Sequence, residues 1–271
     1  MSIDYYGIAS CANQLRDSMG VRKGVTDIFR LLEENGYQSF RYPLGEDSIL
    51  GASANYGKDK VIITNSSMIL AREIFTAAHE LGHHQLHLQR NGETIVDFTG
   101  EHFDSCEEEA NYFAACFLMP KHVMHRYVEE TLMKPEGELL SGMDVAMIQS
   151  VFNVSFESAL NRLQTIKTIT EENRKDLEKE KEQKSVRAFL RAINGNLLLM
   201  EKSEKKHIPH ELLRMAIDNH GRKMVPSDSL KKIFQAFDIT LQIEDEEDAY
   251  DKQGESEEGR KKKRVVHESD T

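Results

Sequence analysis

The sequence predicts an α+β fold, predominantly helical, in which a few short strands give way to a succession of helices. Three observations carry this. Lys60-Val61-Ile62-Ile63-Thr64 is a β-branched run flanked by turn-formers. Residues 69 to about 88 read as one long helix. A second helix opens near Ser105 and runs to Met119, where Pro120 ends it.

The other elements follow in order. Residues 12–35 carry helical spacing through Leu15, Met19, Val25, Ile28, Phe29 and Leu32, with Gly36 as a stop. Residues 37–42 and 49–56 read as short strands. Helices are expected at about 144–152 and 156–166, with Asn153 in the turn between them and Ser155 as N-cap of the second. That pair has a helix-turn-helix outline, but 156–167 offers few of the Arg, Lys, Asn and Gln side chains that read base edges, so it is assigned to packing. Residues 171–184 are nearly devoid of apolar side chains and read as a solvated helix or linker. Hydrophobic runs return over 186–243. From Glu244 an acidic block is followed by a basic one, a composition expected to stay disordered. The expected organisation is a core domain at 1–168, a helical region without an assigned role at 169–243 and a charged tail at 244–271.

Composition narrows the function. The chain has 46 acidic and 35 basic residues and a net charge of −11, which argues against a general nucleic-acid coat, because phosphate binding needs a basic footprint. The charge is uneven: 1–168 holds 14 basic and 23 acidic residues, so most of the excess lies there. No stretch approaches the roughly 20 apolar residues of a membrane span, and the first residues lack the layout of a signal peptide. Cys11, Cys106 and Cys116 form no CxxC pair and leave one over, so a disulfide framework is not expected. These features together lead us to expect a cytoplasmic protein without membrane or direct nucleic-acid binding.

The chemistry concentrates in His79-Glu80-Leu81-Gly82-His83. Histidines at i and i+4 share one helical face and can reach one metal ion, while Glu80 lies close enough to take a proton from an attacking water. A catalytic zinc takes three protein ligands and leaves the fourth position open. A third histidine six residues after His83 would fall on Gln89, which excludes that spacing. A glutamate from the next helix can serve instead. Glu107 and Asn111, at i and i+4, would place a ligand and a supporting side chain on one face. Glu109 and His102 stay open as alternatives to Glu107. Ala110, Ala114 and Gly82 leave room for the two helices to approach closely. His87, four residues beyond His83, could extend the metal face but reads more simply as a neighbour of it.

The run Arg72-Glu73-Ile74-Phe75-Thr76-Ala77-Ala78-His79-Glu80-Leu81-Gly82-His83, followed by Glu107 and by Ala110-Asn111-Tyr112-Phe113-Ala114-Ala115-Cys116-Phe117-Leu118-Met119-Pro120, resembles the ImmA/IrrE family of metallopeptidases. The resemblance covers about 12–166. It implies a small zincin-like core with His79, His83 and a downstream glutamate as zinc ligands and Glu80 as catalytic base. It also implies a partner, a helix-turn-helix transcriptional repressor with which such proteins act and which they often cleave; here that repressor is expected to be a separate protein. Mn²⁺ or Fe²⁺ would also suit two histidines and a carboxylate. The reading of another class is a metal-binding interaction module that sequesters a repressor or antitoxin without cutting it.

Overall fold

A computed structural model of the chain describes residues 3–88, 93–98, 105–135 and 137–239. His102 and the charged tail expected at 244–271 lie outside them. Helix α1 spans Tyr5–Ser18, with the Asp4 carboxylate accepting from the Gly7 amide at 2.9 Å. Helix α2 spans Ile28–Glu34, capped by Asp27. The apolar spacing over 12–35 is therefore divided between two helices. Gly20, at φ +71°, takes the left-handed conformation that closes α1.

Four strands form one mixed sheet: β1 Tyr37–Tyr42, β2 Ile49–Tyr56, β3 Asp59–Asn65 and β4 Thr94–Phe98. Their spatial order is β1-β3-β2-β4, with β1 parallel to β3 and β2 antiparallel to both β3 and β4. The sequence pattern does not announce β4. It is a five-residue edge strand whose place comes from pairing with β2, Ala52 opposite Val96.

Helix α3, Leu70–Leu86, packs on β2 and β3, and helix α4, Ser105–Leu118, packs on α3. The approach is close at Gly82, where a Cβ would stand 3.1 Å from the Phe113 ring and 3.3 Å from the Ala110 backbone. Leu81, Phe113, Phe117 and Leu118 are wholly enclosed around this crossing. Two buried arginines hold the C-terminal carbonyls of α4, which have no partners within the helix. Arg16 donates to Phe117 O, and Arg162 Nε donates to Met119 O at 2.8 Å.

After Pro120 come helix α5, Lys121–Arg126, and a π-helical turn, Tyr127–Thr131. Helix α6, Gly142–Phe152, opens on a Ser141/Asp144 capping box. Asn153 turns the chain at φ 54°, and Ser155 caps helix α7, Phe156–Thr165. Val145, Ile148, Phe152, Leu160 and Leu163 of this pair are core residues, as its assignment to packing expects.

Helix α8, Glu171–Gln183, is helical despite its charge and docks on α6 and α7 through buried Leu177. Asn173 completes the docking: its amide accepts from Leu140 N at 3.1 Å and donates to Leu140 O at 3.0 Å. Helix α9, Val186–Ala192, packs on α6, and a 3-10 turn follows at Leu197–Met200. This compact unit extends through Pro209. A second unit begins at His210 and contains helices α10, His210–Gly221, and α11, Ser227–Ala236, packed on one another with Leu230 and Phe234 buried. Among the described residues no helix is long and apolar enough to cross a membrane.

Candidate metal centre

Helix α3 presents His79 and His83 to the face of α4 that carries Glu107. The two imidazole Nε2 atoms stand 2.9 Å apart, and Glu107 reaches them at 3.1 Å (His79) and 3.3 Å (His83). Among the described residues this is the one cluster of His, Cys, Asp and Glu side chains able to hold a metal ion, and both histidines are buried. Zinc–ligand bonds of about 2.0 Å in a tetrahedron imply ligand–ligand edges of about 3.3 Å. The observed separations approach that figure, so a small opening of the histidine pair would admit such an ion.

The protonation of both rings suits metal binding. His79 Nδ1 lies 3.1 Å from Asn111 Oδ1. An amide oxygen only accepts, so in the neutral ring paired with Asn111 the proton sits on Nδ1 and Nε2 can bind a metal; when the ring carries both protons, Nε2 donates to Glu107 instead. Burial first, and then neighbouring His79, push the pKa of His83 down to about 3, so its ring is neutral at ordinary pH. The Glu107 carboxyl is held below its usual range, chiefly by its hydrogen bond to His79.

Glu80 lies wholly buried beneath β2. The Ser53 hydroxyl is held between the Glu80 carboxylate and the Glu80 carbonyl, 3.1 Å from the latter. Gly51, two residues earlier on β2, makes room for the same carboxylate, since a Cβ there would meet Glu80 Oε1 at 2.5 Å and Thr76 Cγ2 at 2.6 Å. Nothing in the sequence pattern connects Ser53 or Gly51 with Glu80. The small-residue run Gly51-Ala52-Ser53-Ala54 was the available sign that a helix lies close over this strand.

The remaining candidates are placed as follows. Glu109 does not approach His79 or His83 through its carboxylate; it accepts from His87 Nε2 at 3.0 Å. His87 in turn contacts His83 on the ring edge opposite Nε2, Nδ1 to Nδ1 at 3.0 Å. His84 turns to the sheet and donates from Nε2 to Val61 O at 2.9 Å. Asn111 also lines a cleft of about 660 Å³ beside the centre, together with Tyr5, Phe75, Tyr112, Ser158 and Arg162.

A histidine-bearing helix laid on a small mixed sheet, with a glutamate on the next helix, defines the zincin-like class. Within it, the match of the IrrE N-terminal-like domain of peptidases to residues 22–164 shows that the chain belongs to that family. It is 39% identical over 86 residues to the "uncharacterized immunity region protein 2" of Bacillus phage phi105, an alignment covering 32% of this chain and 54% of the relative. The chain thus spans about half the length of that relative. A solved structure of a Mycobacterium tuberculosis transcriptional regulator aligns with a TM-score of 0.38 and 18% identity, over 58% of this chain and 47% of the other.

Proposed function

We propose that the protein is a zinc-dependent endopeptidase acting in the cytoplasm on a partner regulatory protein, in the first instance a helix-turn-helix repressor, whose cleavage relieves repression. His79, His83 and Glu107 would hold the ion. One observation carries the reading: the Nε2 atoms of His79 and His83 face one another across 2.9 Å beside the Glu107 carboxylate. Two imidazole nitrogens and a carboxylate converging at such distances form a donor set that one cation can share. When bound, the ion would supply Lewis acidity to the attacking water and the scissile carbonyl. Glu80 would take the proton from that water and pass it to the leaving amine, held for the task by Ser53. Asn111 would fix His79 while forming part of the cleft wall, which brings a peptide lodged there alongside the centre.

Membership of a peptidase family supports the reaction class, and the phage immunity-region relative supports a regulatory partner. The acidic chain would favour encounter with a basic DNA-binding protein. The test uses purified protein, metal analysis and a candidate helix-turn-helix repressor, sought first among the genes adjacent to its own. The expected result is one zinc per chain and chelator-sensitive cleavage that is lost in Glu80→Gln while the zinc remains. Undiminished cleavage by Glu80→Gln would remove Glu80 as the base. A partner left intact in a stable complex would establish a sequestering module instead.

A further inference from the structure

We infer that Glu109 and His87 form a relay that positions His83 as a metal ligand, so that the centre depends on two side chains beyond those placed around the ion. The inference rests on the metal-centre reading above and adds residues to it. The geometry is a chain of hydrogen bonds. Glu109 Oε2 lies 3.0 Å from His87 Nε2, and His87 Nδ1 lies 3.0 Å from His83 Nδ1. At the far edge of the same ring, His83 Nε2 faces His79 and Glu107.

Proton accounting gives the chain a direction. A carboxylate only accepts, so the Glu109 contact fixes a proton on His87 Nε2; in the tautomer with that single proton the lone pair lies on Nδ1. That lone pair then accepts from His83 Nδ1–H. His83 is left with its own lone pair on Nε2, the atom turned toward the other candidate ligands. Without the relay, the tautomer protonated on Nε2 becomes available to His83, and that tautomer cannot bind through Nε2. His79 receives the same service from a single amide, Asn111. His83 receives it from a histidine backed by a carboxylate, which makes the outer bond charge-assisted.

The placement also sets His87 and Glu109 apart from the converging cluster of His79, His83 and Glu107. Both ring nitrogens of His87 are engaged, Nδ1 with His83 Nδ1 and Nε2 with Glu109. His87 stands at the C-cap of α3, where its backbone leaves helical geometry at φ −122° while its amide still donates to His83 O at 2.9 Å. The helix end therefore swings the His87 ring back against His83. Glu109, two residues past Glu107 on α4, points to a different side of that helix and meets His87 there.

The experiment measures zinc affinity of the full chain by competition with a chromophoric chelator, for the wild type, His87→Ala, Glu109→Ala and the double variant. Nitrogen-detected NMR of the metal-free protein reads the His83 tautomer alongside. Each single variant is expected to bind zinc about 10- to 100-fold more weakly. The double variant should be no weaker than His87→Ala, because both changes break one chain. His87→Gln, whose amide oxygen can accept from His83 directly, should recover most of the affinity even with Glu109→Ala present. The wild type should show His83 protonated on Nδ1, and His87→Ala should show a mixture. Unchanged affinity in both single variants, additive losses in the double variant, or an unaltered His83 tautomer would each overturn the relay. Wild-type protein that binds no zinc would overturn the metal-centre reading itself and the relay with it.

Discussion

Gly51 and Glu80 occupy one another's space: a Cβ on the glycine would lie 2.5 Å from the glutamate's Oε1. The close fit fixes where the Glu80 carboxylate can rest, with α3 supplying it and β2 bounding it. Gly51→Ala should therefore displace Glu80 while leaving His79, His83 and Glu107 in place. If the chain is the zinc endopeptidase proposed, zinc content should stay near that of the wild type, and the turnover number for partner cleavage should fall by at least about tenfold, the equivalent of about 1.4 kcal/mol. Equal turnover at equal zinc occupancy would show that the carboxylate relaxes without consequence.

Ser53→Ala tests the same carboxylate from its other side. The hydroxyl donates to the buried Glu80 carboxyl, an interaction worth about 1.5–3 kcal/mol when that group is ionised. If Glu80 must be held to accept a proton, the loss should appear in the turnover number as about ten- to hundredfold. Zinc affinity should not change. A change in affinity instead would place Ser53 in support of the fold of the centre and not of the base.

Much of this site was legible from spacing alone, for a physical reason. An i,i+4 pair on a helix has one geometry, so His79 and His83 had to share a face, and Glu107 and Asn111 likewise. Gly82 and Ala110 announced the close crossing because only small residues permit it. The contacts of Glu80 were not legible, since helical spacing does not say which strand lies beneath a helix. Nor could the sequence separate Glu107 from Glu109, because their distinct surroundings depend on the crossing of α3 and α4. Helix α8 shows the same limit. One buried leucine and one asparagine, Leu177 and Asn173, dock a segment whose composition reads as solvated. The break at Gly20 was hidden by apolar residues spaced as in a helix on both sides of it, Leu15 and Met19 before and Ile28, Phe29 and Leu32 after.

Gly82→Ala probes the crossing. Its methyl group would press on the Phe113 ring and the Ala110 backbone, and a backbone cannot step aside as a flexible side chain can. Overpacking of this kind costs about 1–3 kcal/mol, opposed by up to about 1 kcal/mol from better helix propensity. The expected result is a lowered denaturation midpoint together with weaker zinc binding, because α3 and α4 each carry part of the centre. A stabilised protein with unchanged zinc affinity would show that the helices part easily.

A buried ion pair ties the chain beyond residue 200 to the start of α3. Arg41 on β1 grips Glu73 with two hydrogen bonds, Nε to Oε1 at 2.8 Å and Nη2 to Oε2 at 2.7 Å. Ser203 joins from the distal segment at 2.8 Å from Oε2, and Thr64 stands 3.1 Å from Oε1. The same segment is stitched on by its backbone, through Leu70 N to Glu201 O at 2.8 Å and His207 N to Arg41 O at 2.8 Å. Glu73→Ala leaves the largely buried Arg41 guanidinium, stacked over Phe29, without its counter-charge. Removing one partner of such a pair costs about 3–5 kcal/mol, whereas Ser203→Ala forfeits one hydrogen bond of about 1 kcal/mol. Arg41→Met with Glu73→Leu removes both charges and should be much milder than Glu73→Ala alone. Denaturant midpoints of the four proteins decide the matter. Equal losses in Glu73→Ala and Ser203→Ala would show that the segment, and not the desolvated charge, sets the cost.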